Sequence, residues 1–495
     1  MKRKQDNFYI IELPLLTEIW QEDIINTRME CGRHIYNSLL GRVSRRYREM
    51  VKTKLYRELI TNLYDDEGNK NKEIQEQLNK VVSDFKLTKN DIKNEVKNMQ
   101  HHFKCHLHSR ICQDIAERVY ASLSSIMYKD GEEFHFKKYG KFNSLSSNEA
   151  RQGILFEDTY INWTGLKIPI KFPKYHKSME FINTHLYPNL SRLRYCKIVR
   201  KEIRGKYKYY VQLVFQGTSV TSRYPLGKGR VGIDIGTSTI AIVSDTTVDL
   251  IELAVGVQEL EKERNRLLRK IDRSRRANNP NKYNSDGTYN TKNKDKWVNS
   301  KRYNKLQQEL REIYRKQRVA RRLQHNKLSN YILSLGNDFY VESMNFAALA
   351  KRSKKPTERK ADGKCKRKKR FGKSIGNRAP SMLLTVIDRK LAYSCKFLNR
   401  INTQTCKASQ FNHITQTYTK KSLSQRWNII EDTPVQRDLY SAFLISNTTD
   451  KLNSFDIDLC NQKYNNFLDL HNKKIEELRQ EKITTNRKFL SCMGI

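Results

Sequence analysis

Asp234 stands in "VGIDIGTST", residues 231–239, where one apolar run meets a Gly-bearing tight turn and a second apolar run follows. An acid at the end of such a strand can reach a metal ion, and two chemistries use that arrangement: hydrolysis of a nucleotide clamped between lobes, and metal-dependent hydrolysis of a phosphodiester. They make different demands on the rest of the chain. A nucleotide clamp needs further Gly-rich turns whose backbone N–H groups approach the phosphates, yet the chain has 20 glycines and no Gly-Gly pair. Phosphodiester hydrolysis needs three carboxylates from distant segments, converging on two Mg²⁺ ions about 4 Å apart that activate water and steady the leaving oxygen. Asp and Glu suit such hard cations. Glu342 in "DFYVESMNF", 338–346, and Asp438 in "VQRDLYSAFLI", 435–445, supply the second and third acids. Each has an ordinary reading alone, since an Asp at a helix start is commonly a cap. In this order, with a basic insertion between the second and third, they favour phosphodiester hydrolysis.

The charge balance points the same way. Lys and Arg number 95 against 53 acids, a formal net charge of +42 over 495 residues. A compact chain so charged repels itself unless a polyanion neutralises it, and nucleic acid has the charge to do so. Nine cysteines occur with no CxxC pair, which argues against a disulfide framework and a zinc ribbon and fits a reduced compartment. The start "MKRKQDNFYIIELPLL" is basic, but Glu12 and Pro14 break its apolar run short of a signal peptide's, and no window approaches a membrane span.

Elements that would position the acids follow from periodicity. "FYIIEL", 8–13, reads as a strand, followed by charged helical stretches to about residue 125. From 126 to 228 the chain is β-rich, and "YCKIVRKEI" and "KYKYYVQLVFQG" flank "RGK" as a hairpin whose tyrosines could stack on bases. Behind Asp234, "STIAIVSD" and "VDLIELA" complete a three-stranded antiparallel start to an RNase H-like sheet. Two helical arms come next, with Leu260, Leu267, Leu268 and Ile271 as one apolar stripe and Leu306, Leu310, Ile313 and Leu323 as the other. "RANNPNKYNSDGTYNTKNKDK" between them reads as a flexible loop. Residues 351–373 hold 13 Lys/Arg against two acids, too dense for a packed helix, and read as a run that an anion orders. Residues 451–495 read as helical, without an assigned role.

"GIDIGTSTIAIVSD", "FYVESMNF", "RFGKSIGNRAPSMLLTVIDRKL", "NTQTCKASQF", "KKSLSQRW" and "QRDLYSAFLI" resemble, in this order, the motifs of the transposon-encoded TnpB (OrfB) family, which is similar to compact type V CRISPR effectors. The resemblance implies an α/β multidomain protein: a RuvC nuclease domain of RNase H-like fold, and a β-barrel wedge domain carrying an α-helical recognition insertion. On this chain the implied order is the wedge's first strand over 1–14, the helical insertion over 15–125 and the wedge barrel over 126–228. The RuvC domain then covers 229–400, a target-nucleic-acid-binding insertion 401–436, and a RuvC C-terminal helix and tail 437–495. It implies an RNA-guided DNA endonuclease in a prokaryotic cytoplasm, at the nucleoid, with a structured guide RNA and double-stranded target DNA as partners and no membrane, acting as a monomer or a homodimer. By motif, Asp234, Glu342 and Asp438 resemble the metal-binding triad for two Mg²⁺ ions, with Mn²⁺ an alternative, and Arg426 resembles a recurrent Arg that could hold the scissile phosphate.

Two departures qualify the resemblance. The family usually carries a four-Cys zinc ribbon in the insertion, whereas here Phe411, Ile414, Ile429 and Asp432 stand at or near the ligand places. His413 alone cannot hold zinc, so no structural zinc is expected and side-chain packing is expected in its stead. After the third acid, Leu439, Tyr440, Ser441 and Ala442 replace the family's x-Asn-Ala-Ala, which removes the Asn's support of the site. Two other readings stay open: a guided DNA-binding repressor of the same descent, and an unguided RNase H-like transposase or junction resolvase.

Overall fold

The computed structural model describes the chain except residues 1–7, 65–68, 130, 218–224, 351–370, 423 and 486–487. It is a mixed α/β protein of two compact units, Met1–Val220 and Thr221–Ile495. Among the described residues no helix is long and apolar enough to cross a membrane.

The first unit runs β1 (Phe8–Pro14), α1 (Ile19–Lys52), α2 (Lys54–Thr61), α3 (Lys72–Asp84), α4 (Lys89–His102), α5 (Ser109–Tyr128), β2 (Ser144–Ser146), β3 (Ile154–Glu157), β4 (Tyr160–Trp163), β5 (Leu166–Pro169), α6 (His176–His185), β6 (Leu193–Ile203) and β7 (Lys206–Gln216). β1 buries alternate residues, Tyr9, Ile11 and Leu13, as a strand with one covered face must. β6 and β7 form the expected hairpin, turned by Arg204 and Gly205, both at positive φ (51° and 77°) as a two-residue hairpin turn demands. Its tyrosines are already engaged: Tyr209 is buried, Arg200 lies 4.3 Å over the Tyr207 ring and Lys201 4.3 Å over that of Tyr210.

The expected wedge barrel is two open sheets. One has the order β1-β7-β6-β2, the other is the meander β3-β4-β5, and no sheet among the described residues closes. The strands available for closure are three and four residues long, too short to carry the tilt and stagger a barrel requires. One bridge, Leu15 to Ile170, joins the two sheets. Helices α1, α4 and α5 share their apolar core.

The second unit begins with β8 (Arg230–Ile235), β9 (Thr239–Ser244) and β10 (Val248–Glu252), antiparallel as expected. Then follow α7 (Val255–Glu259), α8 (Glu261–Ala277), α9 (Lys301–Ser334), β11 (Asp338–Glu342), α10 (Phe346–Ala350), α11 (Gly372–Arg378), α12 (Pro380–Ala392) and β12 (Leu398–Ile401). β11 and β12 join parallel, giving the order β10-β9-β8-β11-β12. The chain continues through α13 (Thr403–Cys406), the hairpins β13 (Phe411–Asn412) with β14 (Thr417–Tyr418) and β15 (Trp427–Ile430) with β16 (Thr433–Gln436), and then α14 (Arg437–Ser446), α15 (Ile457–Thr485) and α16 (Lys488–Cys492).

Helices cover both faces of the five-stranded sheet. Val231, Ile233, Ile235, Phe339 and Val341 pack on one side with residues of α9 and α12. On the other, Ala241, Val243 and Tyr340 pack with α14 and α15. The two arms meet through Leu267, Ile271, Leu306, Leu310 and Ile313. Leu268 and Leu323, expected on that seam, are 39% and 55% exposed. For Leu268 the reason is geometric: it lies one residue, roughly 100° of helix rotation, past the seam position Leu267. The arms' connection is an ordered excursion, described below, instead of the expected flexible loop. The basic run at 351–373 lies, up to residue 370, outside the described residues.

Candidate active site

Strand periodicity and register bring the first two acids together. β8 turns Val231, Ile233 and Ile235 to one face and Gly232 and Asp234 to the other. β11 runs parallel beside it with Gly232 opposite Tyr340 and Ile233 opposite Val341, so Asp234 and Glu342 follow the last pair on the same face.

The third acid arrives on α14. This helix lies directly on β8: a Cβ on Gly232 would come 2.0 Å from the Ala442 carbonyl oxygen and 2.6 Å from the Ser446 nitrogen. Gln436 caps the helix, its side-chain oxygen accepting from the Leu439 N–H at 2.9 Å. Asp438 thus sits in the first turn, where the helix dipole favours a negative charge. Arg437 donates Nε and Nη2 to Asp438 Oδ1 at 3.2 Å each, and Arg426 Nη1 lies 3.8 Å from Asp438 Oδ2.

Asp234, Glu342, Asp438, Lys421, Arg426 and Arg437 all line one cavity of about 430 Å³. Burial pushes the Asp234 carboxyl well above the usual carboxylate range, and the charges of Asp438 and Glu342 push it further, partly offset by Arg437. Burial raises Glu342 as well, against a hydrogen bond from the Ala408 backbone. These are carboxylates crowded in a poorly solvated place, the condition that a bound cation relieves. Their donor chemistry fits a hard divalent ion. They are not closed into a ligand set, however: among the described residues no three acidic, histidine or cysteine side chains are gathered tightly enough to hold a metal as they stand.

Sequence reasoning missed three contributors. Arg437 adjoins Asp438 in the motif itself, and a cation beside a candidate ligand was the available signal. Lys421, held by Asn428 Oδ1 at 2.8 Å, faces the same cavity. The segment without an assigned role is the site's scaffold. The Gln436 N–H donates to His471 Nε2 of α15 at 3.0 Å, and Trp427 Nε1 donates to the Gly494 carbonyl at 2.9 Å. Met493 lines the cavity. No periodicity announces such contacts.

The insertion at 401–436 is packed, but not by all the residues expected. Phe411 is buried against Tyr418 and Phe455. Ile414 and Ile429 are 36% and 64% exposed, because they occupy the turn and the outer face of short two-stranded ribbons that have only one covered side. Asp432 lies in the β15–β16 turn at φ 60°. His413 supplies the missing packing. It is wholly buried among Tyr440, Phe443 and Tyr464, and the Tyr440 hydroxyl accepts from its backbone N–H at 3.1 Å and meets Nδ1 at 2.6 Å. Tyr440, a departure from the expected motif, therefore ties α14 to the insertion.

No protein-family model and no curated protein matches the chain. Among solved structures it is similar to a cryo-EM structure of a Cas12f1–sgRNA–target DNA complex, with 10% identity and TM-score 0.39 over 90% of this chain and 99% of that one. It is also similar to a CRISPR–Cas12f ternary complex, with 12% identity and TM-score 0.25 over 87% and 82%.

Proposed function

We propose that the chain is an RNA-guided DNA endonuclease that cuts DNA complementary to a bound guide RNA, next to a short flanking motif, by RuvC-type hydrolysis. One observation carries this reading: three acids from segments more than a hundred, and then nearly a hundred, residues apart line one cavity whose wall also holds Lys421, Arg426 and Arg437, in a chain of net charge +42. The TnpB resemblance supplies the guide. Base pairing chooses the sequence, and the protein's cations grip backbone.

Asp234, Glu342 and Asp438 would hold two divalent ions, Mg²⁺ or Mn²⁺, which when bound make water nucleophilic at neutral pH and neutralise the leaving oxygen. Arg437 orients Asp438 through its paired N–H groups. Arg426 and Lys421 face the same cavity as donors for the scissile phosphate. Gln436 and His471 fix the start of α14, and with it the position of the third acid.

A second reading, guided DNA binding without cutting, is favoured by one feature: the Arg437 and Arg426 side chains already occupy Asp438, and the acids are not closed into a ligand set. Sequencing the RNA that copurifies with the chain, then assaying plasmid cutting with that RNA and Mg²⁺, separates the readings. The proposal expects a discrete RNA and cleavage that Asp234→Ala abolishes. A discrete RNA with target binding and no cleavage by the parent chain favours the repressor, and heterogeneous or absent RNA contradicts both.

A further inference from the structure

The connection between α8 and α9, from Asn278 to Ser300, is far longer than two antiparallel helices need, since such joints take about 2–8 residues. It is also a built structure. Tyr283 bridges Tyr289, the Asn290 N–H donates to the Lys282 carbonyl at 2.9 Å, and Asp286 accepts from the Thr288 N–H and hydroxyl at 2.8 and 2.6 Å. Asn279 clamps the other side, accepting from the Val298 N–H at 2.8 Å and donating to the Val298 carbonyl at 2.9 Å. Lys282, only 3% exposed, spends its ammonium on the carbonyls of Asn293 (3.2 Å) and Asp295.

What the excursion displays is an aromatic stack set among cations. The Arg275 guanidinium lies 3.8 Å over the Trp297 ring, and Tyr289 stacks on Trp297 at 5.8 Å and 15°. Tyr283 meets both rings edge-on and carries Arg276 at 4.4 Å. Tyr289 is 47% exposed, and Lys292, Lys294 and Lys296 are exposed beside it in sequence. A half-open ring backed by a rigid stack, with ammonium groups along the same segment, is the chemistry that binds an unpaired base and its phosphates.

We infer that this knob is a docking site for single-stranded nucleic acid, with one base stacked on Tyr289 and the flanking phosphates on the lysines. The inference rests on the reading of the chain as a nucleic-acid binder, and is independent of whether it cuts. The test is fluorescence anisotropy of the full-length chain with labelled oligothymidylate, and with an abasic strand of the same length, for the parent and for Tyr289→Phe, Tyr289→Leu and Tyr289→Ala. Stacking predicts that Leu and Ala weaken oligothymidylate binding about 5- to 100-fold, that Phe stays within about twofold, and that the abasic strand is indifferent to all three. Parental affinity in Tyr289→Leu overturns the inference. So does an equal loss on the abasic strand, which would mark a collapsed loop, or displacement of the oligonucleotide by polyglutamate at equal charge, which would mark a generic polyanion surface. Loss of guided cleavage in the parent with the Tyr289 dependence intact removes the proposed activity and leaves the docking site standing. Intact cleavage without that dependence does the reverse.

Discussion

Gly232→Ala should uncouple the third acid from the other two. The added Cβ would stand 2.0 Å from the Ala442 carbonyl oxygen, 2.6 Å from the Ser446 nitrogen and 2.8 Å from the Ser446 Cβ. To clear 3.0 Å, the floor for such contacts, α14 must retreat from β8 by about 1 Å. Overpacking of this kind costs about 1–3 kcal/mol, which for a unit of this size lowers the melting midpoint by roughly 2–12 °C. Asp438 lies one turn before Ala442 and moves with it, and a misplacement of about 1 Å in a reacting constellation costs about 100-fold in rate. Calorimetry and single-turnover cleavage with saturating guide RNA measure the two effects, while guide binding should be unchanged. Gly376→Ala is the control: it sits in a helix with nothing within 4 Å of the new atom, and should be neutral or stabilising. A Gly232→Ala chain that melts and cuts like the parent would refute the close seating of α14 on β8.

Three further outcomes follow from the same geometry. Burial lowers the His413 imidazole to about 4 and pushes His325 and His471 down as well. The unfolded chain therefore takes up these protons first: His413's contribution is complete above about pH 6.5 and is lost as pH falls to about 4, worth about 3 kcal/mol, and urea midpoints across that window should drop less steeply in His413→Gln. Asp234→Asn removes one charge from the crowded trio, so the metal-free variant should melt above the metal-free parent; an unchanged or lower midpoint would show that the carboxylates do not repel. Elemental analysis should find no stoichiometric zinc, and a one-to-one content would mean that the insertion is held by metal and not by Phe411, His413 and Tyr440.

Much of the site could be read in the sequence because its logic is local. An acid at a strand end, a second in a short buried strand and a third at a helix start each announce themselves by neighbours in the chain. Register then does the rest, since a parallel pairing of β8 with β11 needs no more than two apolar runs of matching length. What the sequence hid depends on long-range contacts. The Gly494 carbonyl that holds Trp427, and the His471 imidazole that holds Gln436, come from residues with no motif of their own. The knob after α8 was concealed by composition: Asn, Lys and Gly suggest an unstructured tip, yet Asn279 and Lys282 satisfy backbone groups inside it. The barrel came from the resemblance alone: alternation over 126–228 reports strands, and β2 to β5, at three and four residues, are too short to close one among the described residues.

Whether Asp234, Glu342 and Asp438 share divalent ions is read by Mn²⁺ binding followed by electron paramagnetic resonance. The parent chain should bind Mn²⁺ with a signal that Mg²⁺ displaces, and Asp234→Asn, Glu342→Gln and Asp438→Asn should each abolish or sharply weaken it. Equal Mn²⁺ binding in the parent and all three variants would contradict the account.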